Sequence, residues 1–133
     1  MAAKRMGLDV AILEKEAGSP AGQLTSTEIT GSASDKKLLR KLAAYSDIIT
    51  LENEFIDYHI IEYLESLGKK VFPSSVTISL IQDKLIQKQT LRRHNIPLPK
   101  FTAAEHKADF EQIVKFLGLP FVLKSRKMGY DGY

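Results

Sequence analysis

The stretch Ile48-Ile49-Thr50-Leu51-Glu52-Asn53-Glu54, read on to Phe72, decides the fold class. Ile48 to Leu51 is a short apolar run with the length and composition of a buried strand. Beyond it Ile56, Ile60, Ile61, Leu64 and Leu67 recur at helical spacing, and Gly68 stands where a left-handed glycine ends a helix. Val71-Phe72 then reads as a second strand, closed by Pro73 and Ser74. A strand, a helix and a strand in such short order require a parallel crossover. The same alternation runs upstream. Leu8, Val10, Ile12 and Leu13, with Ala11 between them, form a mostly apolar run typical of a strand covered on both faces. Leu38, Leu39, Leu42 and Ala43 make a helical stripe opened by Ser34 or Asp35, with Lys36, Lys37, Arg40 and Lys41 on the solvated side. The expected architecture is α/β, with a largely parallel, Rossmann-like sheet from Leu8 to Phe72.

The first residues, Met1-Ala2-Ala3-Lys4-Arg5-Met6, read as the end of a helix closed by Gly7. In an α/β domain a strand and a turn precede such a helix, and both are expected to be missing. Glu14 follows the first strand as the ribose-binding acid of dinucleotide folds does, but no glycine fingerprint stands upstream of it. Ala17-Gly18-Ser19-Pro20-Ala21-Gly22 is a loop, either a substrate loop at the strand's carboxyl end or a simple connection. Glu52 and Glu54 fit a metal, a ribose hydroxyl or an acid–base step, and equally fit the dipole of the next helix. His59, between apolar positions of that helix, reads as a packing or surface residue.

Val76 to His94 is mostly helical, with Lys84 and Lys88 on one face. Asn95-Ile96-Pro97-Leu98-Pro99 is neither helix nor central strand and marks a boundary, followed by an expected strand at Phe101-Thr102-Ala103-Ala104. Phe110, Ile113, Val114 and Leu117 form an amphipathic helix that Gly118 closes. Leu119-Pro120-Phe121-Val122-Leu123 reads as a buried strand delivering Lys124 into the basic loop Ser125-Arg126-Lys127-Met128-Gly129-Tyr130-Asp131-Gly132. Gly129 and Gly132 lack a Cβ, so their amides can approach an anion closely. The loop reads as a phosphate site; a solvated basic turn would carry the same residues.

The 133 residues fit one domain, or one and the beginning of another. A hydrophobic share of 44%, a charged share of 26% and a net charge of +3 are ordinary for a folded chain and favour a local anion over a nucleic-acid polymer. The absence of cysteine removes disulfides, zinc–thiolate sites and thiol catalysis, and suits a reducing compartment. No apolar run is long enough for a bilayer and no signal-peptide core is present, so a cytoplasmic location without membrane association is expected.

Asp83-Lys84-Leu85 with Gln87-Lys88, then Ile96-Pro97 with Pro99, Leu119-Pro120 through Lys124, and Gly129-Tyr130-Asp131-Gly132 occur in this order in the ATP-grasp ligases. The chain resembles that family, and within it the 5-(carboxyamino)imidazole ribonucleotide synthase branch, whose N-terminal domain the Ser19-Pro20-Ala21 loop and the Thr50-x-Glu52-x-Glu54 strand end also resemble. The resemblance implies a cytoplasmic ligase of purine biosynthesis that uses ATP, magnesium and bicarbonate to carboxylate 5-aminoimidazole ribonucleotide, through carboxyphosphate, and it allows a homodimer. It assigns residues 1–75 to a pre-ATP-grasp substrate domain without its first strand and glycine-rich turn, 76–99 to connecting helices, and 100–133 to the start of an α+β ATP-grasp nucleotide domain. By the same resemblance Lys84, Lys124, Gly129, Tyr130, Asp131 and Gly132 bind ATP, and Ser19, Pro20, Glu52 and Glu54 serve the substrate. The magnesium ligands and catalytic residues are expected beyond this chain, which reads as an internal fragment inactive by itself. Two departures stand out: Lys84 takes the place of an arginine common in relatives, and Tyr133 that of a Lys or Arg. A formate-dependent glycinamide ribonucleotide transformylase, a biotin-carboxylase-like enzyme and a non-catalytic α/β binding module are the alternatives.

Overall fold

The computed structural model describes residues 2–129. Chain contacts divide it after Ser75 into two units. The first holds α1 (Ala2–Arg5), β1 (Ala11–Glu14), β2 (Thr27–Thr30), α2 (Lys36–Tyr45), β3 (Ile48–Thr50), α3 (Tyr58–Ser66) and β4 (Lys70–Phe72). The second holds α5 (Lys84–Arg93) and α6 (Phe110–Leu117), preceded by α4 (Ser75–Ile81), whose first residue is the last of unit one.

The parallel α/β architecture expected from the alternation is present in unit one. β1 pairs in parallel with β2, matching Leu13 to Ile29, and β3 pairs in parallel with β4, matching Ile49 to Val71. The pairing resolves the expected continuous sheet into two two-stranded sheets, so each pair keeps its outer strand edges unbonded among the described residues. The core forms where α2 packs on β1 and α3, and α3 packs on β4. Ile29, Leu39, Ala43, Ile49, Ile61, Leu64 and Val71 are buried there. Ile48 and Phe72, on the opposite face of the β3–β4 pair, are exposed, so these strands are covered on one face rather than two.

Local chemistry sets the helix bounds. Asp35 caps α2 by accepting the Lys37 N–H at 2.7 Å, and Asp57 caps α3 by accepting the His59 N–H at 3.0 Å. Gly68, at φ 78°, ends α3 in a Schellman turn, its N–H donating to the Glu65 carbonyl while the Lys69 N–H donates to that of Leu64.

Four expectations are corrected. The first strand begins at Ala11 instead of Leu8, which is exposed, and it includes Glu14. A strand occurs at Thr27–Thr30, where none was expected, because Thr27, Ile29 and Thr30 supply β-branched side chains and a neighbouring edge is available. Phe101–Ala104 is irregular; the Phe101 ring instead lies under the Lys88 ammonium and the Arg92 guanidinium at 5.4 and 4.8 Å. Leu119–Leu123 is neither strand nor buried: Leu119, Val122 and Leu123 are 71, 78 and 76% exposed. A strand needs a second backbone to take its hydrogen bonds, and none of the described residues of unit two forms one.

Candidate functional site

The second unit is built around the first turn of α5. Asp83 takes the extended N-cap conformation, and its Oδ1 accepts the N–H groups of Leu85 and Ile86 at 2.9 and 3.2 Å. Its carboxylate is also gripped by Arg126, whose Nε lies 3.2 and 3.1 Å from Oδ1 and Oδ2 and whose Nη2 lies 2.6 Å from Oδ2. Asp83 is only 3% exposed, whereas the guanidinium side of the pair is half open to solvent. The Arg126 guanidinium foremost, and the Ile86 and Leu85 N–H groups after it, hold the Asp83 carboxyl below the usual carboxylate range against an opposing effect of burial. The same contact raises Arg126 above its ordinary value.

Lys84 is tied to this loop at both ends. Its backbone N–H, one of the orphan donors at a helix start, donates to the Arg126 carbonyl at 2.9 Å. Its ammonium Nζ donates to the Gly129 carbonyl at 3.0 Å. Gly129 lets the turn pack this closely, because a Cβ there would overlap the Ser125 hydroxyl and come within 3.1 Å of the Lys84 Nζ, and both side chains would have to move. Met128, just before it, holds a left-handed φ of 54°, a costly conformation for a side chain with a Cβ. Lys84 and Gly129 are thus brought together; Lys124 is exposed, and no hydrogen bond or ion pair of the described residues joins it to them. Tyr130, Asp131 and Gly132 lie outside the described residues.

In unit one, the loop after β1 is organised by Glu28 of β2. Its carboxylate accepts the N–H groups of Gly18 and Ser19 at 3.0 and 3.1 Å and the Ser19 hydroxyl at 3.0 Å. The Ser19 oxygen in turn accepts the Gly22 N–H at 3.0 Å. The Gly18 N–H is the leading cause that holds the Glu28 carboxyl below its usual range. Ser19 therefore shapes its own loop, with Pro20 at the turn. After β3, Glu52 accepts from the Asn53 amide at 2.7 Å, Asn53 turns the chain by accepting the Phe55 N–H, and Asp57 rather than Glu52 or Glu54 caps the next helix. Both loops leave the carboxyl ends of parallel strands, the end at which open α/β sheets bind ligands.

The anchoring acids Glu28 and Asp83 were not among the candidate site residues. Asp83 carries a readable signal, an N-cap aspartate directly before a helix; Glu28 sits on the unexpected strand. No cluster of three or more His, Asp or Glu side chains fit to hold a metal ion occurs among the described residues.

Residues 1–82 match the model of the ribonucleotide synthetase pre-ATP-grasp domain, and residues 89–133 that of the ATP-grasp domain. The chain belongs to the ribonucleotide synthetase pre-ATP-grasp family. Among relatives of this pre-ATP-grasp chain, a phosphoribosylaminoimidazole carboxylase of Ogataea methanolica is 38% identical over 98% of the chain and 25% of the relative. An N5-carboxyaminoimidazole ribonucleotide synthetase structure from Thermotoga maritima is 36% identical, covers 94% of this chain and 34% of its own, and superposes with a TM-score of 0.82. An N5-carboxyaminoimidazole synthase from Aspergillus clavatus, solved with ADP and 5-aminoimidazole ribonucleotide, is 32% identical, with 96% of this chain and 35% of that one covered and a TM-score of 0.82. The pre-ATP-grasp chain thus spans about a quarter to a third of the length of these relatives.

Proposed function

We propose that the chain supplies the substrate domain and the first nucleotide contacts of an ATP-dependent ligase that carboxylates 5-aminoimidazole ribonucleotide. The observation that carries this is its likeness, over 96% of its length, to a synthase holding ADP and that ribonucleotide. Residues 1–75 are the substrate domain, residues 76–99 the connecting helices and residues 100–133 the start of the nucleotide domain. Strand order supports the first assignment. In the doubly wound order 3-2-1-4-5 the first strand stands between two outer parallel pairs, and β1–β2 and β3–β4 correspond to those pairs.

In the reaction a bicarbonate oxygen takes the γ-phosphoryl group of ATP, releasing ADP and leaving carboxyphosphate. The exocyclic amine of the ribonucleotide then attacks its carboxyl carbon, the bond to phosphate breaks, and the nitrogen gives up a proton to the departing phosphate or to water. Such phosphoryl transfer relies on positioning and charge more than on covalent help from the protein. Lys84 and Lys124 provide compact cations for the nucleotide phosphates, a task that needs no bidentate geometry. Gly129, with Tyr130, Asp131 and Gly132 of the same motif, contributes to binding those phosphates, and Ser19, Pro20, Glu52 and Glu54 serve the ribonucleotide. Magnesium, when bound, neutralises phosphate charge. The site of action is the cytoplasm, where a cysteine-free chain needs no oxidising environment.

The test is phosphate release by a full-length protein carrying this chain, with ATP and bicarbonate in the presence of 5-aminoimidazole ribonucleotide. Release dependent on that ribonucleotide is expected. Release only with glycinamide ribonucleotide and formate would transfer the chain to the transformylase branch.

A further inference from the structure

Arg126 stands in a basic loop beside the proposed phosphate site, which makes it look like a phosphate ligand. Its geometry assigns it another task. Nε and one Nη2 donor are spent on the two oxygens of Asp83, so the side-on edge of the guanidinium is committed to the carboxylate and only the Nη1 side faces away from it. Asp83 is equally committed, since the same carboxylate receives two backbone N–H groups of α5 and two donors of Arg126. A carboxylate so saturated and so buried is a structural anchor rather than a base or metal ligand.

We propose that Asp83 and Arg126 are positioning residues whose ion pair clasps the 126–129 turn onto the start of α5, preassembling Lys84 and Gly129 as one phosphate-binding unit. The argument rests on three contacts that depend on one another. Arg126 fixes the turn through its side chain, and its carbonyl receives the Lys84 N–H. That bond sets where the lysine leaves the helix. The Lys84 ammonium then reaches the Gly129 carbonyl, which takes one of its three donors and leaves the other two for phosphate oxygens. A lysine stem is otherwise free to rotate, and a positioned charge is worth more than a searching one. The inference builds on the proposed nucleotide role of Lys84.

Arg126→Ala, Arg126→Lys and Asp83→Ser test it in the full-length protein, with Lys84→Ala as reference. Serine keeps an N-cap acceptor while deleting the partner of Arg126. Arg126→Ala and Asp83→Ser are expected to lower kcat/KM for ATP about 10- to 100-fold, the scale of a misplaced catalytic contact. The KM for the ribonucleotide should stay near wild type in both, and in Asp83→Ser, which leaves no buried charge unpaired, so should the thermal midpoint, which separates positioning from general damage. Arg126→Lys should recover part of the loss, since it keeps the charge without the fork. Hydrogen exchange at the Lys84 amide should quicken in Arg126→Ala. Wild-type kinetics for ATP in Arg126→Ala, alongside a defect in Lys84→Ala, would overturn the proposal, as would unchanged exchange at the Lys84 amide. An unaffected Lys84→Ala would instead overturn the nucleotide role of Lys84, and the exchange measurement would still decide whether the pair holds the turn.

Discussion

Replacing Asp83 by Ala deletes the acceptor for the Leu85 and Ile86 N–H groups at the start of α5. Loss of an N-cap of this kind costs about 1 kcal/mol, within a range of about 0.5–2. One kilocalorie corresponds to about a fivefold change in an opening equilibrium. The Leu85 and Ile86 amides should therefore exchange with solvent about fivefold faster in Asp83→Ala, an effect read amide by amide and not blurred by unit one. Asp83→Asn, which keeps an acceptor but not the charge, separates the cap from the ion pair. It should preserve most of the protection at Leu85 and Ile86 while loosening the Arg126 side.

Acid titration examines the same carboxylate by another route. Its folded pKa is depressed, first by Arg126, so its contribution is complete above the unfolded carboxylate value, about 3.9, and is lost as pH falls through the lower folded value. In the wild type, protection of the first turn of α5 should hold down to about pH 4 and fall below it; Asp83→Asn should lack that step. Equal exchange at Leu85 and Ile86 in wild type and Asp83→Ala, or an acid step that persists in Asp83→Asn, would refute the reasoning.

Other outcomes follow from individual contacts. Lys124→Ala in the full-length protein should slow turnover about 100- to 1,000-fold, and unchanged kcat with unchanged KM for ATP would remove Lys124 from the site. Ile61, fully buried at 0% exposure, should cost about 2–5 kcal/mol when changed to Ala, measured by urea unfolding; a loss below about 1 would mean that α3 is loosely packed. Glu28→Gln should speed exchange at Gly18 and Ser19, and because the Glu28 carboxyl is held below its usual range, the wild type should show the same effect only once acidified below that range. The chain by itself should show no sustained magnesium-dependent ATP turnover in a phosphate-release assay; turnover abolished by Lys124→Ala would show that the residues present suffice.

The fold was legible where the pattern is local. Ile48–Leu51, the helical stripe from Ile56 to Leu67 and Gly68 identify a parallel crossover because strand length, helical period and a left-handed glycine are all properties of adjacent residues. It was illegible where a distant partner decides. Thr27-Glu28-Ile29-Thr30 offers a single aliphatic side chain, yet it is a strand because β1 supplies an edge. Leu119–Leu123 is far more apolar and is not one, since apolarity does not provide the second backbone. The site divides in the same way. Lys84 and Gly129 stand out as a cation and a glycine in a motif, whereas the pairing of Asp83 with Arg126 spans 43 positions and is visible only in space.

That pairing also explains how an aspartate can stand directly before a cation proposed to bind phosphate. A carboxylate next to Lys84 would ordinarily quench it: two unit charges 4 Å apart attract by about 4 kcal/mol at an effective dielectric near 20. Here the Asp83 oxygens are saturated by Arg126 and two backbone N–H groups, and the Lys84 ammonium binds a neutral carbonyl at Gly129. The Lys84 ammonium is thereby held at Gly129 rather than paired with Asp83. Without Arg126, Asp83 would keep a buried charge with its main counter-ion gone, and the nearest cation along the chain is Lys84 itself. Arg126 therefore does two things at once: it holds the turn, and it prevents the helix cap from claiming the lysine that the turn presents.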